Sequence, residues 1–212
     1  MKKCYVFCHG FGFDKNFWKN LSPYFFEKKC IYLDLGYFEE KVEPCLNGTD
    51  TKFIGIGHSL GLLKLLQLNI NFEYLIGINS FVNFLGNDQE LQTIRKNDLQ
   101  VLKDNFIVSP DTTLKNFHRR CGMPYEIKNI NKQIALNDLN LLFTKFDVSH
   151  KTPLLVIGSS DDVIVPKKII YDNFESYSNV SLQIIDGGKH GLGFFKADSI
   201  YEKIMSFVND TN

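Results

Sequence analysis

The chain has 212 residues, 44% of them apolar, with 24 basic side chains balanced by 24 acidic ones. That is enough chain for one domain with a sizeable core, and zero net charge gives no basis for broad attraction to nucleic acid or an anionic membrane. The five cysteines, Cys4, Cys8, Cys30, Cys45 and Cys121, form no CxxC pair and leave an odd one, so neither a zinc ligand set nor a disulfide framework is expected.

A reducing cytoplasm is the simplest compartment for such thiols. The first apolar run, Cys4 to Cys8, is too brief for a signal-peptide core, and no stretch reaches membrane-spanning length. A soluble cytoplasmic protein, monomeric and without nucleic-acid or membrane partners, is therefore expected.

Short apolar runs follow one another along the chain, at Cys4 to Cys8, Ile31 to Leu33, Phe53 to Ile56, Tyr74 to Ile78, Leu154 to Ile157 and Val180 to Ile185, with helical stretches between them. This alternation predicts a mostly parallel sheet covered by helices on both faces. The stretch Ser59 to Asn69 is apolar nearly all round, with Lys64, Gln67 and Asn71 as a thin polar stripe, and predicts a largely buried helix. From Phe81 to Thr152 no strand pattern appears, but helix-like stretches do, roughly Asp88 to Phe106, Asp111 to Cys121 and Lys132 to Phe146. Residues 81–152 are read as an inserted helical lid, and residues 1–80 with 153–212 as the core that carries it. The last segment places Ile200, Ile204, Phe207 and Val208 on one face, with Ser199 and Glu202 as a capping box at its start.

Within this frame, Gly57-His58-Ser59-Leu60-Gly61 follows one apolar run and opens the buried helix. It is a Gly-x-Ser-x-Gly turn in a strand-turn-helix setting, in which both glycines relieve crowding around a serine lifted above the sheet edge. A serine hydroxyl needs a base, and His190 in Gly-Gly-Lys-His-Gly directly follows the run Val180 to Ile185. The bland reading, a structural or solvated side chain, is favoured for His9, His58, His118 and His150. The imidazole in turn needs a carboxylate, and Asp161-Asp162 begins where the run Leu154 to Ile157 ends. Asp162 is preferred, with Asp161 as the alternative, whose own reading is a solvated or turn-capping group. Backbone amides of Phe11, in His9-Gly10-Phe11-Gly12, and of Leu60 are the expected oxyanion donors. No metal or organic cofactor is called for by this chemistry.

Together these segments resemble the α/β-hydrolase superfamily, and within it the pimeloyl-acyl-carrier-protein methyl ester esterases of biotin synthesis. The likeness is carried by Val6 to Trp18, by Tyr32-Leu-Asp-Leu-Gly36, by the serine turn and by Asp162-Val-Ile-Val-Pro166. In the helical insertion, Leu114 to Cys121 resembles the lid helix that meets the acyl chain and the carrier. The resemblance implies that Phe117 lines an acyl channel, that Phe11, Leu60 and Cys121 also bind substrate, and that Arg119 or Arg120 meets the phosphopantetheine or acidic surface of acyl carrier protein. One departure is Leu62, where many relatives have a further glycine.

The resulting expectation is an α/β-hydrolase fold and a serine ester hydrolase working through an acyl-enzyme on a small-molecule ester or a carrier-bound acyl methyl ester. The alternatives are a general carboxylesterase and a catalytically silent binding module. Haloalkane-cleaving and peroxidase relatives are disfavoured, since the former place an aspartate where Ser59 stands.

Overall fold

The computed structural model describes residues 2–42, 50–68, 70–148 and 151–210, so Cys45 and His150 lie outside the described residues. Among the described residues six strands form one sheet: β1 (Lys2–Cys8), β2 (Lys29–Leu33), β3 (Thr51–His58), β4 (Phe72–Ile78), β5 (Leu154–Ser159) and β6 (Val180–Ile185). Their order across the sheet is β2-β1-β3-β4-β5-β6, and every neighbouring pair is parallel. Each apolar run read from the sequence is the body of one strand.

A parallel sheet of this kind is covered on both faces, and the two-residue period of a strand divides its side chains between two cores. In β1, Cys4, Val6 and Cys8 point into one core while Tyr5 and Phe7 point into the other. The second core is closed by α7 (Ala197–Asp210), through the fully buried Ile200, Ile204 and Val208. That helix begins two residues ahead of Ser199, so Ser199 lies inside it and the expected capping box does not mark its start.

The first core is covered by α1 (Gly61–Leu66), by α5 (Lys167–Phe174) and by three helices between β4 and β5: α2 (Gln89–Val108), α3 (Pro110–Cys121) and α4 (Lys132–Leu141). Leu99 and Phe106 of α2, Leu114 of α3 and Leu139 of α4 share one buried cluster with Phe11, Leu60 and Phe81. The inserted helices are thus packed onto the strand ends. A short helix α6 (Leu192–Phe195) precedes α7. Among the described residues no helix is long and apolar enough to cross a membrane.

Helix α1 is shorter than its pattern suggests. It stops at Leu66, and Asn71, counted in its polar stripe, lies in the exposed approach to β4. Lys64 of that stripe has a partner in the helices after β4: its ammonium donates to Asp138 Oδ1 of α4 at 2.6 Å, and Asp138 Oδ2 accepts from the buried Tyr37 hydroxyl at 2.7 Å. Leu62, the departure noted in the sequence, is fully buried and lies over Gly77 of β4, where a Cβ would come within 3.1 Å of it. The neighbouring strand supplies the room that the extra side chain requires.

The Tyr37–Asp138–Lys64 chain joins the loop after β2, the helix behind the serine turn and the insertion. Asp138→Ala leaves a buried hydroxyl without its acceptor and an ammonium without its counter-charge. It is expected to lower unfolding stability by about 2 kcal/mol, read as a shift of the urea midpoint at unchanged slope.

Candidate active site

The carboxyl ends of the parallel strands carry every non-glycine residue with a left-handed backbone among the described residues: Ser59 after β3 (φ 52°), Asn79 after β4 (φ 46°) and Lys189 after β6 (φ 49°). Such conformations are costly for ordinary side chains and persist where surrounding structure over-determines them. Here the cause is close packing. A Cβ on Gly57 would lie 2.4 Å from the Leu62 nitrogen, and one on Gly61 would lie 2.1 Å from the Cys8 carbonyl oxygen. The chain must therefore reverse between β3 and α1 within Ser59 and Leu60, and Ser59 takes the strained position. Its amide donates to the Ile78 carbonyl at 2.9 Å, and its own carbonyl accepts from the Ser80 hydroxyl at 2.7 Å.

Across the sheet edge, His190 is fully buried and its Nδ1 lies 2.7 Å from Asp162 Oδ2. Asp162 is itself fixed, since its Oδ1 accepts from the amides of Ile164 at 2.7 Å and Val165 at 3.0 Å. The carboxylate acceptor favours the tautomer that carries its hydrogen on Nδ1, which leaves Nε2 as the nitrogen able to accept a proton. Nε2 is buried and among the described residues has no hydrogen-bond partner, so the Ser59 hydroxyl and His190 are not joined by a hydrogen bond. Bonds of this kind are often long without substrate and tighten when it binds.

Asp161 does something else. Its exposed carboxylate accepts from the Lys189 amide at 2.9 Å and from the Ser159 hydroxyl, and the Ser159 hydrogen bond leads the effects that lower its pKa. It thereby braces the strained residue next to His190. Two further braces were not foreseen from sequence. Asn79 donates from Nδ2 to the Lys189 carbonyl at 2.7 Å while its Oδ1 accepts from the Ser159 amide at 2.8 Å. His58 places Nε2 2.8 Å from the His190 carbonyl and stacks on Phe17 at 4.1 Å between centroids. Burial, followed by the proximity of His190, pushes the His58 pKa well below its ordinary value, so the ring is neutral and donates through Nε2. The only forward signal for these roles was position, at the carboxyl ends of β3 and β4.

The loop after β1 lies against the serine: a Cβ at Gly10 would sit 2.9 Å from the Ser59 Cβ. Among the described residues the amides of Phe11 and Leu60 donate to no protein acceptor. The same loop is tied down on both sides. His9 lies with Nδ1 2.9 Å from the Gly10 carbonyl and accepts from the Leu35 amide at Nε2, 3.0 Å away. His118 of α3 lies with Nε2 2.6 Å from the Gly12 carbonyl and Nδ1 2.8 Å from that of Pro124. The buried readings of His9, His58 and His118 are structural, each with backbone partners.

A cavity of about 750 Å³ opens between the strand ends and the inserted helices and reaches Ser59 and Leu60. Phe117 lines it, its ring 5.6 Å from Phe11 and 6.3 Å from the His190 ring. Arg120 lines it from an exposed position, whereas Arg119 faces a separate shallow groove with Lys115, Met123 and Tyr125. Cys121 is not part of the cavity: α3 turns it inward, fully buried, into the second core beside Met123 and Leu192, and burial pushes its thiol pKa up. The structure thus gathers Phe11, Ser59, Leu60, Phe117 and Arg120 around one space, with Asp162 and His190 paired beside it, and leaves Arg119 and Cys121 outside.

No protein-family model matches the chain, and no curated protein sequence does. Solved structures do. A lipase-esterase related protein from Clostridium acetobutylicum is similar at a TM-score of 0.63 and 21% identity, over 97% of this chain and 94% of that one. An esterase from Exiguobacterium antarcticum reaches a TM-score of 0.77 at 15% identity, over 97% and 91%. A bromoperoxidase from Bacillus anthracis reaches 0.71 at 17% identity, over 98% and 92%. At such identities the likeness speaks for the fold, and proteins of different named activities share it. The chain has the α/β-hydrolase fold.

Proposed function

We propose that the protein is a serine carboxylic-ester hydrolase. The observation that carries this reading is the His190–Asp162 pair, with a buried imidazole nitrogen left over, beside a serine strained upward at the edge of a cavity. In the first step Ser59 Oγ attacks the ester carbonyl while His190 Nε2 takes the hydroxyl proton. Asp162 keeps the ring in its Nδ1-protonated form and stabilises the imidazolium. The amides of Phe11 and Leu60 receive the oxyanion, and the protonated His190 returns its proton to the departing alcohol. Water then enters, gives a proton to Nε2, attacks the acyl-enzyme and releases the acid as Ser59 recovers its hydrogen. No metal or organic cofactor is required by these steps.

For the substrate we infer the methyl ester of a medium-length acyl group on acyl carrier protein, in biotin synthesis. Support comes from the resemblance of the Leu114 to Cys121 helix and from Phe117 and Arg120 lying along one cavity. Arg119, which faces the outer groove, would meet the carrier from outside rather than the acyl chain.

Ser59→Ala and His190→Ala are each expected to lower kcat on a model ester by at least roughly 10⁴-fold, and the double variant to fall no further. A fluorophosphonate probe should label the intact protein at Ser59; an unlabelled, folded protein would mean that the chain is a binding module. For the substrate, the intact enzyme should release methanol from pimeloyl-carrier methyl ester. Cleavage of short esters alone, with no effect of charge reversal at Arg119 and Arg120, would instead identify a general carboxylesterase.

His58 acts in this scheme as a positioning residue, through the carbonyl of His190. His58→Leu is expected to lower kcat by about 100-fold, as misplacement of a catalytic group does, with little change in KM. His58→Gln, which keeps a donor near the Nε2 position, should restore most of the loss. The same pair tests pH dependence. The folded pKa of His58 lies below the unfolded value of about 6.5, so above that pH its neutral form costs nothing. As pH falls below about 6.5 the unfolded chain binds the extra proton and stability drops, by up to about 1.4 kcal/mol per pH unit for one such group. Urea midpoints between pH 7 and pH 5 should fall less steeply for His58→Gln than for the unaltered protein, with the remaining slope shared by His118, whose pKa burial also lowers.

A further inference from the structure

Three charged side chains line the cavity that reaches Ser59: Arg95, Asp98 and Arg120. Asp98 and Arg120 are exposed, while Arg95, on α2, is half-buried. The Arg95 Nε donates to the Phe84 carbonyl at 2.7 Å, and one terminal nitrogen donates to the Ile164 carbonyl at 3.2 Å. Its guanidinium carbon lies 4.2 Å over the Phe84 ring. These contacts fix the group in place but use two of its five N–H donors. Among the described residues no carboxylate stands within ion-pair distance, and Asp98 and Asp162 act on it only by longer-range attraction. Burial pushes its pKa down to about 10, so near neutral pH it remains a cation, partly withdrawn from water and short of a counter-charge.

A guanidinium held flat by backbone carbonyls, with its remaining donors unspent, is suited to the fork geometry of an oxyanion. Arg120, lining the same space, adds a second cation against the single carboxylate of Asp98. The rest of the lining is mainly apolar, from Phe11 and Phe81 to Leu139 and Leu142. We propose that the cavity takes an ester whose acyl chain carries a second, oxyanionic group, a carboxylate or a phosphate, and that Arg95 receives this group while the ester carbonyl lies at Ser59. The assignment to an ester rests on the reading of Ser59 given above but not on the carrier, because a carrier thioester would occupy the acyl end that bears the anion here. The anion is placed on the acyl side because a methyl leaving group has no room for one.

The test is equilibrium binding to the Ser59→Ala protein, which cannot turn the ligands over. Three esters are compared by calorimetry: methyl hexanoate, monomethyl adipate and methyl 6-(phosphonooxy)hexanoate. At least one anionic ester should bind roughly tenfold or more tightly than the neutral one, as a charge-assisted hydrogen bond implies, and the tighter of the two identifies the oxyanion. Adding Arg95→Gln should bring that ratio close to one, and Arg95→Lys should keep part of it. Equal affinity for all three esters overturns the proposal, and so does a ratio that Arg95→Gln leaves intact. Should Arg95→Gln fail to fold, equal affinity for the three esters still overturns the proposal, and Arg95→Lys takes its place: a ratio that Arg95→Lys leaves undiminished overturns the assignment to Arg95. Because binding is read without turnover, an active enzyme with a ratio of one removes only the anion subsite, whereas a high ratio in a protein that neither hydrolyses esters nor takes the fluorophosphonate removes only the hydrolase reading.

Discussion

The site depends on how closely the start of α1 approaches the ends of β1 and β3. With the Gly61 Cα pressed toward the Cys8 carbonyl and Gly57 under the Leu62 backbone, no gentler path joins strand to helix. Ser59 therefore occupies a left-handed conformation that its side chain does not favour, and among the described residues the adjacent amide of Leu60 has no protein acceptor. Two consequences follow from one packing constraint: a hydroxyl raised at the strand edge and a donor beside it. Both are present before any ligand arrives, which is the condition under which electrostatic stabilisation requires little reorganisation.

The histidine loop is held by different means, because β6 is an edge strand and has a neighbour on one side only. Packing alone would leave the turn after it loosely fixed. Instead Asp161, Asn79 and His58 each hydrogen-bond the backbone of Lys189 or His190, from the ends of β5, β4 and β3 respectively. The strained Lys189 sits where these bonds converge. Hydrogen bonds from three strands thus replace the missing neighbour, and the side chain of His190 is free to pair with Asp162 rather than to secure its own loop.

The six strands could be read directly from the sequence because a doubly covered parallel sheet demands continuous apolar runs, and these runs stand out against the helices. The serine turn was legible for a related reason, since its glycines answer a steric requirement that few other residues meet. What escaped the reading involves partners distant in sequence. Lys64 was legible only as part of a thin polar stripe, and its partner Asp138 lies seventy-four positions away. Asp161 and Asp162 are adjacent and chemically identical, and only the geometry of the turn sends one to His190 and the other to the Lys189 amide. Cys121 and Arg119 fall on the helix segment that carried the resemblance, but the last turn of α3 rotates one into the core and the other to the outer surface. Arg95 gave no signal at all, because α2 is polar along much of its length and a single cation on such a helix reads as solvated.

On the proposed reading, chemistry and selectivity lie in different parts of this chain for a physical reason. The strand ends are fixed by the sheet, so side chains placed there keep their relations whatever is inserted elsewhere, and solved structures named for an esterase and for a bromoperoxidase share that fold. The insertion between β4 and β5 supplies the opposite wall of the cavity, and its polar lining can change without disturbing the sheet. Arg95 spans the two. It rises from α2 in the insertion, yet one of its donors ends on the carbonyl of Ile164, whose amide holds Asp162. On the proposed reading, a ligand held by that guanidinium would lie one residue, Ile164, from the carboxylate that pairs with His190.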